Sequence, residues 1–195
     1  MLPLFFNAGY LTMLSDQQTA LSQAISQLDV AQVQSLLNQG VTPNFIVPEL
    51  GTPLTQICDQ LFVWWEAVVH GYETEHPLED SDKAKLLQPY QQIIDALIAA
   101  GANVHLWDID EFFGPLWDAA SAACVPVVQQ LLDLGVNPNR LDDEGMTILS
   151  SISQLWFEVD FDLVEWSDAL PEERATLELL RARGGKTTAE LHLED

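Results

Sequence analysis

Positive charge is what this sequence has least of. Seven Lys and Arg residues stand against thirty Asp and Glu, a formal net charge of -23, so nucleic-acid backbones and anionic membranes are both repelled. The expected partner is therefore basic. Cysteine is scarce too. Cys58 and Cys124 lie in apolar surroundings without a CxxC neighbour, which fits buried thiols in a reducing compartment better than a disulfide framework. The expected location is the cytoplasm. No apolar run approaches the roughly 20 residues that cross a bilayer. The apolar stretch Met1–Leu14 has no Lys or Arg before it and is interrupted by Pro3, Asn7 and Gly9, so neither a membrane span nor a signal peptide is expected.

Motifs for catalysis and metal binding are missing as well. His70, His76, His105 and His192 form no HxxxH pair and no short spacing with cysteine, so no zinc site is expected. Asp108-Ile109-Asp110-Glu111 has a superficial likeness to a calcium loop, but Phe113 stands where that loop needs its glycine. Gly184-Gly185-Lys186-Thr187 lacks the strand and first glycine of a phosphate loop, and there is no GxSxG. Carboxylate pairs are inevitable by chance among thirty acids. The reading is non-enzymatic, with no catalytic residue, cofactor or metal.

What is present is periodicity. With 48% hydrophobic residues over 195 positions, the chain can bury a substantial core. Thr19-Ala20-Leu21, Thr52-Pro53-Leu54, Gly114-Pro115-Leu116 and Thr147-Ile148-Leu149 recur with their leucines 33, 62 and 33 residues apart. A fixed spacing of this size marks stacked units. Three residues beyond each leucine stands Ala24, Ile57, Ala119 or Ile152, so one face of a short helix is repeated. Ser15 and Gln18 are placed to form a capping box ahead of the stripe Leu21, Ala24, Ile25 and Leu28.

A second pattern places an apolar pair before a glycine. It reads Leu36-Leu37-Asn38-Gln39-Gly40, Leu97-Ile98-Ala99-Ala100-Gly101 and Leu131-Leu132-Asp133-Leu134-Gly135. The glycine fits a helix C-cap with left-handed backbone. Turn formers follow it in Val41-Thr42-Pro43-Asn44, Ala102-Asn103-Val104-His105 and Val136-Asn137-Pro138-Asn139. Two short amphipathic helices cannot bury their apolar faces alone, so such pairs must stack on one another.

These residues resemble the ankyrin repeat, whose units read roughly G-x-T-P-L-x-x-A, then a helix ending L-L-x-x-G-A, then a loop with Asp or Asn. The resemblance implies an all-α, ankyrin-like helical repeat solenoid. Residues 1–16 are an N-terminal extension or cap and 17–185 the array, with repeats at about 17–45, 46–106, 107–140 and 141–185; residues 186–195 form a tail. Two departures stand out. The family's His after the leucine is replaced by Ser22, Thr55, Trp117 and Ser150, and the fourth copy, Leu179-Leu180-Arg181-Ala182-Arg183-Gly184, has one residue too many between its apolar pair and its glycine.

Two insertions interrupt the repeats between their helices. The first, of 29 residues, begins with Leu61-Phe62-Val63-Trp64-Trp65-Glu66, breaks at Gly71 and continues as the acidic stretch 73–82, with Ser81 or Asp82 capping the next helix. The second, of about 16, alternates aromatic or aliphatic residues with carboxylates from Leu155 to Asp168. The large apolar residues Trp64, Trp65, Trp156 and Trp166 suit either an extra hydrophobic layer or a contact surface.

The function expected from charge and resemblance is a protein-binding module for a basic partner. One concrete form is an immunity or inhibitor protein for a nuclease-like toxin. The alternatives are a scaffold whose acidity serves solubility and, least favoured, an enzyme using unrecognised carboxylates. Arrays of this kind bind through hairpin tips and the concave first-helix face. That places partner contacts at Phe45, Trp107, Asp108, Asp110, Glu111, Phe112, Trp117, Asp142, Asp143 and Glu144.

Overall fold

The computed structural model describes residues 14–69, 80–106, 114–142, 144–157, 161–164, 167 and 169–192. Among them the chain is all-α and builds the expected array of stacked helical pairs. The pairs are α1 (Asp16–Ser26) with α2 (Val30–Asn38), α3 (Pro53–Val68) with α4 (Asp80–Ala99), α5 (Pro115–Ser121) with α6 (Val125–Asp133), and α7 (Ile148–Phe157) with α8 (Pro171–Ala182). A short helix, α9 (Thr188–His192), follows where the sequence suggests only a tail. The first helices α1, α3, α5 and α7 pack in succession as one row, and the second helices lie behind them as another, with α2 against α4 and α6 against α8.

The recurrent leucines explain the stacking. Leu21, Leu54, Leu116 and Leu149 are all buried, as are Ala24, Ile57, Ala119 and Ile152 one turn later. The second row repeats the arrangement with Val33 and Leu36, Ile94 and Leu97, Val128 and Leu131, and Leu177 and Leu180. Each leucine, isoleucine or valine among them contributes about 1.5–3 kcal/mol by leaving water, which no single pair could achieve alone.

Helix ends follow local chemistry. Ser15 and Gln18 form the expected capping box, with Gln18 N–H donating to Ser15 Oγ at 3.2 Å and Ser15 N–H to Gln18 Oε1 at 2.9 Å. Thr52 caps α3 ahead of Pro53, accepting from Thr55 N–H at 3.2 Å. Thr19, aligned with Thr52 by sequence, instead sits in the second turn of α1, because Ser15 starts that helix earlier. At the other ends Gly40, Gly101, Gly135 and Gly184 have φ of +89°, +85°, +86° and +85°. There the next N–H reaches back to the helix, as from Val41 to Leu36 O, Ala102 to Leu97 O, Val136 to Leu131 O and Gly185 to Leu180 O. This bond resolves the fourth copy. Leu180 is the counterpart of Leu36, Leu97 and Leu131, and Arg181 takes the place of the second apolar residue, so no residue is extra.

The insertions lie where a tight turn is strained. In the first and third pairs the helices are joined through Leu28 at φ +53° and Ala123 at φ +47°, a left-handed conformation unfavourable for residues with a Cβ. Leu28 therefore leaves the helical stripe that its spacing suggests. In the second and fourth pairs the helix runs on through the corresponding Leu61 and Trp156. α4 begins at Asp80, upstream of the expected cap at Ser81 or Asp82. The break at Gly71, residues 73–79 of the acidic stretch and Trp166 lie outside the described residues.

The inserted aromatics mainly pack. Trp65 is fully buried and Trp64 half-buried, 6.1 Å between ring centroids from Tyr90 of α4. Trp156 donates its indole N–H to Ser121 O at 3.3 Å. Lys83, near the start of α4, lies 5.9 Å over the Trp65 ring and 3.0 Å from Glu172 of α8. The lengthened α4 therefore reaches past the third pair to touch the fourth.

Candidate functional site

The loops beyond the glycines share one construction. The second residue after each glycine, Thr42, Asn103 or Asn137, accepts through its side chain from the N–H two positions on, at 3.3, 3.0 and 2.9 Å. That turn presents Asn44, His105 or Asn139. Asn44 crosses to the second pair, donating to Gly101 O at 2.9 Å and accepting from Asn103 N–H at 2.7 Å. Asn139 crosses to the fourth, donating to Gly184 O at 2.9 Å and accepting from Lys186 N–H at 2.7 Å. His105 occupies the corresponding place between the second and third pairs. Among the described residues no hydrogen bond joins its side chain to Gly135 or Asn137.

Beside His105, between the third pair and the hairpin that opens the fourth, there is a cleft of about 120 Å³. Its walls include His105, Pro115, Trp117, Arg140, Asp142 and Met146, with Leu116, Leu141 and Ile148 completing the apolar side. Burial lowers the pKa of Arg140. The Trp117 ring meets Phe62 of α3 edge-on at 5.4 Å, and its indole N–H donates to Ser151 Oγ of α7 at 3.0 Å. Asp142 shapes the adjoining hairpin, its Oδ1 accepting from Glu144 N–H at 3.0 Å and Met146 N–H at 2.8 Å.

Of the residues expected to meet a partner, Trp117 and Asp142 thus line one cleft, with Glu144 exposed beside them. Phe45 is a correction. It is 8% exposed and part of the core, because its ring packs with the other buried apolar side chains and not at a free surface. Trp107, Asp108, Asp110, Glu111, Phe112 and Asp143 lie outside the described residues. Sequence reasoning missed His105, Arg140 and Met146, although the alignment of His105 with Asn44 and Asn139 was a usable signal.

The first-helix row is joined by polar links. Gln56 Nε2 donates to Ser22 O at 3.0 Å and to Ser26 Oγ at 2.7 Å, while Ser22 Oγ donates to Gln56 Oε1 at 3.0 Å. Ser150 Oγ accepts from Thr188 N–H of α9 at 2.9 Å. Charge is unevenly placed. α1, α3, α5 and α7 contain no Lys or Arg, and no cation precedes Lys83 in the sequence. Lys83, Lys85, Arg181 and Arg183 form ion pairs with Glu172, Asp82, Glu190 and Asp133.

Both thiols are buried. Burial pushes the Cys58 thiol well up and that of Cys124 to about 11, so neither is a thiolate nucleophile near neutral pH. Among the described residues, no three His, Cys, Asp or Glu side chains group as metal ligands, and no helix is long and apolar enough to cross a membrane.

No family model and no curated protein matches the chain. Among solved structures, the ankyrin repeat domain of human ASB11 is similar at 22% identity and a TM-score of 0.49, covering 85% of this chain and 53% of that one. The chain thus spans about half the length of the structure it matches.

Proposed function

We propose that the chain is a non-catalytic protein-binding module for a basic protein, engaged through the hairpin tips and the first-helix row. The observation that carries this reading is the absence of Lys and Arg from all four first helices in a chain of net charge -23. A surface so composed steers a cationic partner towards it and discriminates against acidic ones. In its most concrete form the module is an immunity or inhibitor protein for a nuclease-like toxin in the cytoplasm. A nuclease must attract phosphate, so its active-site surface is one that an acidic protein can occupy in place of substrate.

Contacts then fall on Trp117, Asp142 and Glu144, with Trp107, Asp108, Asp110, Glu111, Phe112 and Asp143 as further members. The test is a binding titration of a purified basic nuclease, encoded beside this chain's gene, over a series of salt concentrations. Affinity should fall steeply as salt rises, because the encounter is electrostatic. An affinity indifferent to salt would remove the basis for the proposal.

A further inference from the structure

We infer that the cleft beside His105 receives one large apolar side chain, leucine- or phenylalanine-sized, from a partner segment whose neighbouring residues are Lys or Arg. The inference rests on the reading that the chain binds a basic protein, and adds where the partner anchors and by what chemistry.

Three observations converge on this occupant. The first is size: at about 120 Å³ the cleft is smaller than the sites that hold cofactors or drug-sized molecules, yet has room for a side chain. The second is the lining. Pro115, Trp117, Met146 and Ile148 form an apolar wall. The group that such a wall buries best is apolar. The third is the rim, where Asp142 is half-buried and Glu144 exposed, so cations flanking the anchor have carboxylates to meet.

At the edge of the cleft, among the described residues, His105 makes no pair of bonds like those that Asn44 and Asn139 each make across their joints. An apolar anchor in a half-buried aromatic pocket, ringed by polar groups, is the arrangement that concentrates binding energy in protein interfaces.

The experiment uses the whole chain, isotopically labelled for NMR, and two short synthetic peptides. One has a central phenylalanine flanked by lysines; the other has serine in its place. The phenylalanine peptide should shift the Trp117 indole N–H and the Met146 methyl signal saturably, and bind about tenfold more tightly than the serine peptide. Leu141→Ser, at a wall residue that is 45% exposed, should weaken the phenylalanine peptide by about threefold without changing the melting temperature. Equal affinity for both peptides, with the two signals unmoved, overturns the cleft while leaving a basic partner intact. Binding of neither peptide overturns both.

Discussion

The outer and the middle seams of this array are built from the same turn, yet only the outer ones carry an asparagine clamp. Asn44 and Asn139 each satisfy a carbonyl and an N–H of the next unit, whereas His105 lies beside a cleft. The asparagine amide presents a donor and an acceptor side by side, matching the backbone groups opposite. A neutral imidazole also has one of each, but on opposite edges of its ring. One residue type in a repeated position thus decides whether the clamp forms.

The largest effect expected on this comparison comes from truncating the core. Leu54→Ala and Leu116→Ala should each cost about 2–5 kcal/mol in chemical denaturation, with Leu116→Ala at the lower end because that side chain already borders the cleft. Equal costs would show that the middle seam is no softer than the first.

Next comes Asn139→Ala. It removes two bonds and leaves Gly184 O and Lys186 N–H to solvent, so stability should fall by about 1–2 kcal/mol. The reverse change, His105→Asn, should raise stability by about 1 kcal/mol by supplying the missing clamp, and should weaken the phenylalanine peptide as the cleft narrows. A destabilised His105→Asn variant would break the comparison.

The smallest effect is at the end of the array. Arg181, and after it the Thr187 N–H, hold the Glu190 carboxyl at about 2, below its ordinary value of 4.5. A carboxyl whose folded pKa is depressed stabilises fully above the unfolded value and loses that contribution as pH falls from about 4.5 towards 2. With both side chains partly open to solvent, at 35% and 40%, the loss should be about 0.5 kcal/mol. Its signature is a weaker pH dependence of stability in Glu190→Gln over that interval.

Much of this architecture can be read directly from the chain because its determinants are local. The leucine with its apolar follower one turn later, the Ser15–Gln18 box and the terminal glycines each act within a few residues, and the structure uses all of them. The fourth pair misleads because Leu179-Leu180 mimics the doublets of the other copies, whereas the backbone bond to Gly185 identifies Leu180 and Arg181 as the equivalent positions. Phe45 misleads because an aromatic at a loop start gives no sign of which way the chain turns. The asparagine clamps join residues 57, 59, 45 and 47 positions apart. Only stacking brings such partners together, so their role, and the cleft beside His105, emerge from the assembled array.

The reach of α4 has a consequence for how such a molecule melts. In an array where each unit feels only its immediate neighbours, the middle can fray while both ends persist. Lys83 couples the second unit to the fourth through Glu172, a second-neighbour interaction that spans the shortest unit. Loss of order in the third pair should therefore take its flanks with it, producing one sharp transition without a plateau.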